Sequence, residues 1–221
     1  SKWPDIPVCA AAASALAARL VDEPELRKGL DPQGVVIVLN ALSKWPHTEV
    51  CAAAASALVA RLVDEPELRK DLDPQGVVIV LNALSKWPGS LVCTAAVKAL
   101  ASRLAHDLEL RNALKAHEIV NALNALSKWP ATPVCVVAAT ALTKRLAEDP
   151  SLREDLDPQE VVTALNALSK WPDNEVCAAA ASALAERLAD DPVLRKALKA
   201  HEVTNALNAL SKWPDDVVCA A

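Results

Sequence analysis

The 221 residues carry 28 acids against 23 bases, a formal net charge of −5, and 52% hydrophobic residues with no Phe, Tyr or Met. That balance excludes a basic nucleic-acid track, whose affinity comes mostly from neutralising phosphates. Charges or prolines interrupt every apolar stretch, which excludes a membrane-spanning helix, and four glycines supply no phosphate-cradling loop.

One period runs through the chain. Trp3, Trp45, Trp87, Trp129, Trp171 and Trp213 recur every 42 residues, and Cys9, Cys51, Cys93, Cys135, Cys177 and Cys219 keep the same interval. The octet LNALSKWP returns intact at 39–46, 81–88, 123–130, 165–172 and 207–214, after a shorter copy, SKWP, at 1–4. Repetition at this length marks a helical array in which each unit buries its apolar face on its neighbours. The expectation is an all-α fold, one solenoid over 1–221: a partial repeat at 1–22, repeats at 23–64, 65–106, 107–148 and 149–190, and a partial repeat at 191–221. With no Met and an opening in mid-phrase, the chain is expected to be a segment of a longer protein, so targeting signals are not legible in it. Equivalent cysteines on stacked helices lie ~8–10 Å apart, beyond the ~7 Å between Cα atoms that a disulfide tolerates. They are expected to be reduced, small buried residues, as suits a reducing compartment.

The elements follow in order within residues 65–106. EPELRKDL predicts a short helix of about two turns, started by an acid that caps and by Pro66. DPQGVVIVLNALSKW predicts a second helix with Asp73 as N-cap; Asp157 and Glu160 have capping-box spacing at the equivalent place. Val77, Val80, Leu81, Leu84 and Trp87 form its buried stripe, Ser85 its polar margin, and Pro88 its end. LVCTAAVKALASRLA at 91–105 predicts a third helix. Repeats three and five read LKAHE in place of LDPQ, at 114–118 and 198–202, so there the first two helices are expected to merge or join by a softer kink. One short and two longer helices per repeat resemble the armadillo plan, with a HEAT-like array the near alternative. That resemblance implies a right-handed α-solenoid.

Two faces are candidates for binding. On the third helix the letters that change lie three and four apart: Ser56 and Ala60; Thr94, Lys98 and Ser102; Val136, Thr140 and Lys144; Ser182 and Glu186. By the armadillo resemblance this stripe lines a concave groove. Peptide-clamping armadillo proteins place Trp and Asn there, and this chain has neither, so their clamp is not carried over. A shallow groove of small side chains suits either close approach by a partner helix or tight curvature of the array. The second face is a ladder of Asn82, Lys86, Asn124, Lys128, Asn166 and Lys170, read either as contacts for a partner's backbone and carboxylates or as a solvated outer face. The tryptophans lie on the core stripe, which favours packing over a ligand platform. The arginines beside acids (Arg19, Arg61, Arg103, Arg145 and Arg187, with Arg27, Arg69, Arg111, Arg153 and Arg195) read as spacing and solubility devices. The corner loops vary most, but acids such as Asp5, Glu49, Asp173, Asp215 and Asp216 face phosphates badly, against a base-reading code.

No catalytic constellation emerges. His47 and Cys51 are one helical turn apart, yet no oxyanion donor or orienting third group accompanies them. No Cys or His spacing suggests zinc, and no cofactor is expected.

At ALSKWP on a 42-residue period, the chain resembles the SKWP-repeat type III effectors that plant-pathogenic bacteria such as Xanthomonas and Ralstonia inject into host cells. The resemblance implies a very long, repeat-rich virulence protein secreted into the host cell, with no catalytic residue to carry over. The function expected is a non-enzymatic protein-interaction scaffold for an unidentified host protein, without nucleic-acid or membrane partners. The alternative is a spacer that positions an activity elsewhere in the parent protein. The apolar faces at the two ends also predict end-to-end self-association.

Overall fold

The computed structural model describes residues 6–214; the candidates Trp3, Asp5, Asp215, Asp216 and Cys219 lie outside them. The described residues form fifteen α-helices and no strand. The first three are α1 (Pro7–Asp22), α2 (Pro24–Lys28) and α3 (Pro32–Leu42). Next come α4 (Glu49–Asp64), α5 (Pro66–Lys70) and α6 (Pro74–Leu84), then α7 (Leu91–His106), α8 (Leu108–Ala113) and α9 (Ala116–Leu126). The chain ends with α10 (Pro133–Glu148), α11 (Pro150–Glu154), α12 (Pro158–Leu168), α13 (Glu175–Asp190), α14 (Pro192–Ala197) and α15 (Ala200–Leu210). Each third helix has 16 residues and each second helix 11, so the period of the letters is the period of the helices.

Two compact units divide between Leu100 and Ala101. In the first, α1 packs on α4, and α3 on α6 and α4. In the second, α9 packs on α12, α12 on α15 and α13, and α10 on α13 and α9. Equivalent helices thus lie side by side. Leucine fills the seams: Leu39, Leu58 and Leu62 in the first unit, and Leu123, Leu142 and Leu165 in the second, are all fully buried. The cysteine slot is buried as well, with Cys51, Cys93, Cys135 and Cys177 in no disulfide.

Helix boundaries follow the local letters. Pro66 keeps Glu65 out of the helical region (φ −111°, ψ 90°), so α4 stops at Asp64. The acid at this break caps only when it is Asp. The Asp107 carboxylate accepts from Leu110 N–H (2.9 Å), and Asp191 accepts from Val193 and Leu194 N–H (2.8 and 2.9 Å). Glu23 and Glu65, expected to cap, do not: one methylene longer, each pairs instead with the arginine four residues back, Arg19 or Arg61 (both 2.8 Å). The short helices hold five or six residues, less than the two turns expected.

The second helices start as read, with Asp31, Asp73 and Asp157 accepting from the N–H three residues on (2.7, 2.6 and 2.7 Å). The expected merger at LKAHE does not occur. Leu114 and Lys115 are both extended (ψ 134° and 165°), and the Glu118 carboxylate accepts from Lys115 N–H at 2.9 Å. Glu202 does the same for Lys199 N–H at 2.7 Å. The glutamate supplies from inside the helix the restraint that Asp-Pro supplies from outside, so the break survives.

Candidate functional site

The recurring phrase forms a corner and a link. Past Leu84 the chain tightens, with Lys86 N–H on the Ala83 carbonyl (3.1 Å) and Trp87 N–H on the Leu84 carbonyl (2.9 Å), before Pro88 stops it. The Ser85 side chain, expected at a polar margin, is buried: its hydroxyl donates to the Asn82 carbonyl at 2.7 Å, as Ser43, Ser127 and Ser169 do to Asn40, Asn124 and Asn166. A hydroxyl with its own carbonyl partner costs little to bury. The indole N–H of Trp87 donates to the carbonyl of Pro46 in the preceding phrase (2.9 Å). Trp171 does so to Pro130 (3.0 Å), and Trp213 to Pro172 (3.1 Å). The phrase at 165–172 thus offers a donor to the phrase before it and an acceptor to the phrase after it.

The arginines have a larger role than spacing. Arg69 donates to the carbonyls of Leu62 and Val63, closing the last turn of α4; Arg111, Arg153 and Arg195 repeat this on α7, α10 and α13. A second set ties the third helix of a repeat back to the short first helix of the same repeat. Arg61 reaches the Arg27 and Leu30 carbonyls, Arg145 those of Arg111 and Leu114, and Arg187 those of Arg153 and Leu156. These cations sit on the negative ends of helices, whose last carbonyls otherwise lack donors. Burial lowers the Arg145 guanidinium from its ordinary value, and the nearby Asp149 offsets part of that effect.

The third-helix stripe is distributed as follows. Ser56 and Ala60 on α4 are half-buried; on α7, Thr94 and Ser102 are half-buried and Lys98 is exposed. On α10, Val136 and Thr140 are half-buried and Lys144 is exposed; on α13, Ser182 is half-buried and Glu186 exposed. The Thr94 and Thr140 hydroxyls turn back onto their own helices, each donating to the carbonyl four residues earlier (both 2.9 Å). Thr140 Oγ1 also accepts from the Asn174 amide (2.8 Å), which fastens α10 to the corner before α13. Lys144 Nζ lies 3.6 Å from Glu148 Oε1 on the same helix. The threonines' donor capacity is thereby spent within the fold.

The asparagine ladder lies elsewhere. Asn82, Asn124 and Asn166 are half-buried on α6, α9 and α12, while Lys86, Lys128 and Lys170 extend into solvent past the helix ends. In the second unit a polar cleft of about 200 Å³ opens along α9, α12 and α15. Asn124 and Asn166 line it together with Gln159, Thr163, Asn205 and Glu202. The structure therefore brings two of the ladder's asparagines into one cavity and leaves its lysines outside. The Thr163 hydroxyl is engaged by the Gln159 carbonyl (2.7 Å), so the carboxamides are the cleft's versatile groups, each with two N–H donors and one acceptor oxygen. Glu202, almost fully buried, faces His201 Nε2 at 3.8 Å and Lys199 Nζ at 3.9 Å. Such a lining suits peptide groups and neutral polar side chains. Gln159, Thr163, Glu202 and Asn205 were missed by sequence reasoning. The available signal was the slot Ile37, Ile79, Asn121, Thr163 and Asn205, which turns from apolar to polar two residues before the constant LNAL of the second helix.

His47 is exposed in its turn and Cys51 is buried. Burial raises the Cys51 and Cys93 thiols, and it pushes Cys177 up to about 11, an effect that the Thr143 hydroxyl at 4.0 Å partly offsets. Against an ordinary value of 9.0, such a thiol holds about 100-fold less thiolate at pH 8. Cys177 is expected to react with a disulfide reagent at least about tenfold more slowly in the folded chain than after denaturation, since its thiolate is scarce and its sulfur buried, as peptide mapping of labelled cysteines would measure. The folded state binds this proton more tightly than the unfolded one, so its contribution is complete below pH 9 and is lost as pH rises towards 11.

Among the described residues, no group of three or more His, Cys, Asp or Glu side chains is placed to hold a metal ion, and no helix is long and apolar enough to cross a membrane. The chain matches no protein-family model, no curated protein and no solved structure.

Proposed function

We propose that the chain is a non-enzymatic protein-interaction scaffold whose repeats belong to a right-handed α-solenoid of armadillo/HEAT-like type. The observation that carries this reading is the carboxamide-lined cleft spread over three successive second helices, α9, α12 and α15. Amides on successive repeats, ~8–10 Å apart, are spaced to meet every second or third peptide group of an extended partner segment, and each carboxamide pairs with both halves of a peptide bond. The resemblance of the SKWP phrase supports an effector delivered by a type III system into a plant cell, with a host protein as partner. The uniform tryptophan–proline links and arginine caps favour a second reading, a stiff spacer for an activity carried elsewhere in the parent protein.

Capture from plant lysate separates the two. Asn124→Lys with Asn166→Lys fills the cleft with two long cations, and we expect it to weaken capture of the retained host protein by about tenfold or more, ~1.4 kcal/mol. Lys98→Glu with Lys144→Glu is expected to change capture less than about twofold, since it alters only exposed charges. The reverse pattern returns the site to the third-helix stripe. Equal capture by all variants, or none by the parent chain, favours the spacer.

A further inference from the structure

Past the second helices stands a row of cations that the fold does not use. Arg111, Arg145, Arg153, Arg187 and Arg195 are engaged by backbone carbonyls, and Lys144 and Lys199 lie beside Glu148 and Glu202. Lys128 and Lys170, in the corners after α9 and α12, are exposed. Among the described residues, neither makes an ion pair or donates a side-chain hydrogen bond. Asp173, the acid nearest to Lys170 in the chain, is exposed too and forms no pair with it. A cation in the last turn of a helix would complement its dipole. Each of these lysines stands two residues past its helix, beyond the turn in which that effect is felt.

The winding carries on far enough to place them. Lys128 N–H bonds to the Ala125 carbonyl and Lys170 N–H to that of Ala167 (3.1 and 3.2 Å). Each lysine therefore follows Asn124 or Asn166 by about one helical turn on the same side. Because α9 packs on α12, the two lysines form a rim of one sign beyond the carboxamides that line the cleft. The opposite rim, where the second helices begin, is mixed: Asp155 and Asp157 at the start of α12 are exposed, and Asp157 shares a recess with Lys199.

We propose, resting on the cleft as the binding site, that this rim selects its partner: an extended protein segment with Asp or Glu at alternate positions. The segment's backbone lies on Asn124 and Asn166, and its acids meet Lys128 and Lys170. Side chains of an extended segment share a side at every second residue, ~6.8 Å apart, while equivalent positions on packed helices stand ~8–10 Å apart. The flexible four-carbon stem of lysine spans the difference. Charge complementarity along such a rim chooses and orients a partner more than it adds affinity. A nucleic acid fits worse, because it carries a charge at every phosphate and would set some of them against Asp155 and Asp157.

Fluorescence anisotropy with short labelled peptides tests this: one alternating Glu with Ser, one of the same composition with its glutamates in a block, and one alternating Gln with Ser. The parent chain is expected to bind the alternating acidic peptide best. Lys128→Gln with Lys170→Gln is expected to weaken that binding by about fivefold at low salt, and the difference to fade in 1 M NaCl. Both substitutions fall on exposed side chains, and circular dichroism checks that the variant is folded. No binding of the alternating peptide, or equal binding by parent and variant, overturns the proposal. So does equally tight binding of the blocked peptide or of single-stranded polyuridylate, which marks unspecific attraction of charge. Capture from plant lysate keeps the two readings apart. If Asn124→Lys with Asn166→Lys weakens capture and the lysine variant does not, the cleft stands and the rim is dismissed; a parent chain that captures nothing removes both.

Discussion

Trp171→Ala is expected to destabilise the second unit by about 3–5 kcal/mol, the range found when a large buried aromatic is truncated. Only 7% of Trp171 is exposed, so truncation leaves a cavity between the corner of its own repeat and that of the repeat before. The Pro130 carbonyl also loses its indole donor. Trp171→Phe separates the two contributions: most of the apolar contact returns while the hydrogen bond does not, and the remaining loss is about 1 kcal/mol. Urea denaturation followed by far-ultraviolet circular dichroism reads both, without depending on the fluorophore removed. If the indole were a ligand platform, its removal would change stability by less than about 1 kcal/mol, and the packing role would have to be given up.

The same residue shows how far the letters were legible. The 42-residue period, the three helices per repeat and the tryptophan stripe all follow from spacing, because spacing decides which side chains share a face. What spacing conceals is the acceptor. Every residue carries a carbonyl, so nothing in the letters marks Pro130 as the partner of Trp171, or Asn82 as the partner of Ser85. Ser85 therefore read as marginal although it is buried. Glu23 and Glu65 read as caps because each is an acid directly before the proline that opens a short helix; one methylene more than Asp redirected them to arginine. At LKAHE the missing Asp-Pro concealed that Glu118, three residues inside the helix, restrains Lys115 equally well.

The candidate site was half legible for a related reason. Variation among repeats pointed to the third helix, where the changing hydroxyls of Thr94 and Thr140 prove to be engaged by their own helices. The asparagines were visible as a ladder, but Asn124 and Asn166 gain their importance from a cleft formed by three helices at once. A cavity depends on the depth to which neighbours pack, which a one-dimensional period does not record. The move from Ile79 to Thr163 and Asn205 is the trace it leaves in the letters.

The arginines were misread most, and Arg187 gives the second large effect. Arg187→Ala is expected to cost about 2–3 kcal/mol, the range for a hydrogen bond from a charged group to a partner then left without a donor. The guanidinium donates to three carbonyls earlier in its own repeat, those of Arg153, Glu154 (3.1 Å) and Leu156 (2.9 Å), all around the C-terminal end of α11. Its planar fork spans several acceptors, whereas a lysine offers one compact ammonium, so Arg187→Lys is expected to recover about half the loss. Arg19→Ala supplies a control of the same residue type: exposed, and paired only with Glu23, it is expected to leave the denaturation midpoint nearly unchanged. Salt distinguishes the causes. An exposed ion pair fades in 1 M NaCl, where the screening length is ~3 Å, but direct bonds to carbonyls persist. A deficit for Arg187→Ala that disappeared at high salt would return the arginines to the solubility role that their charge suggests; one that remained would make them the polar fastening of each third helix to the short helix of its repeat, beside the apolar seam of leucines.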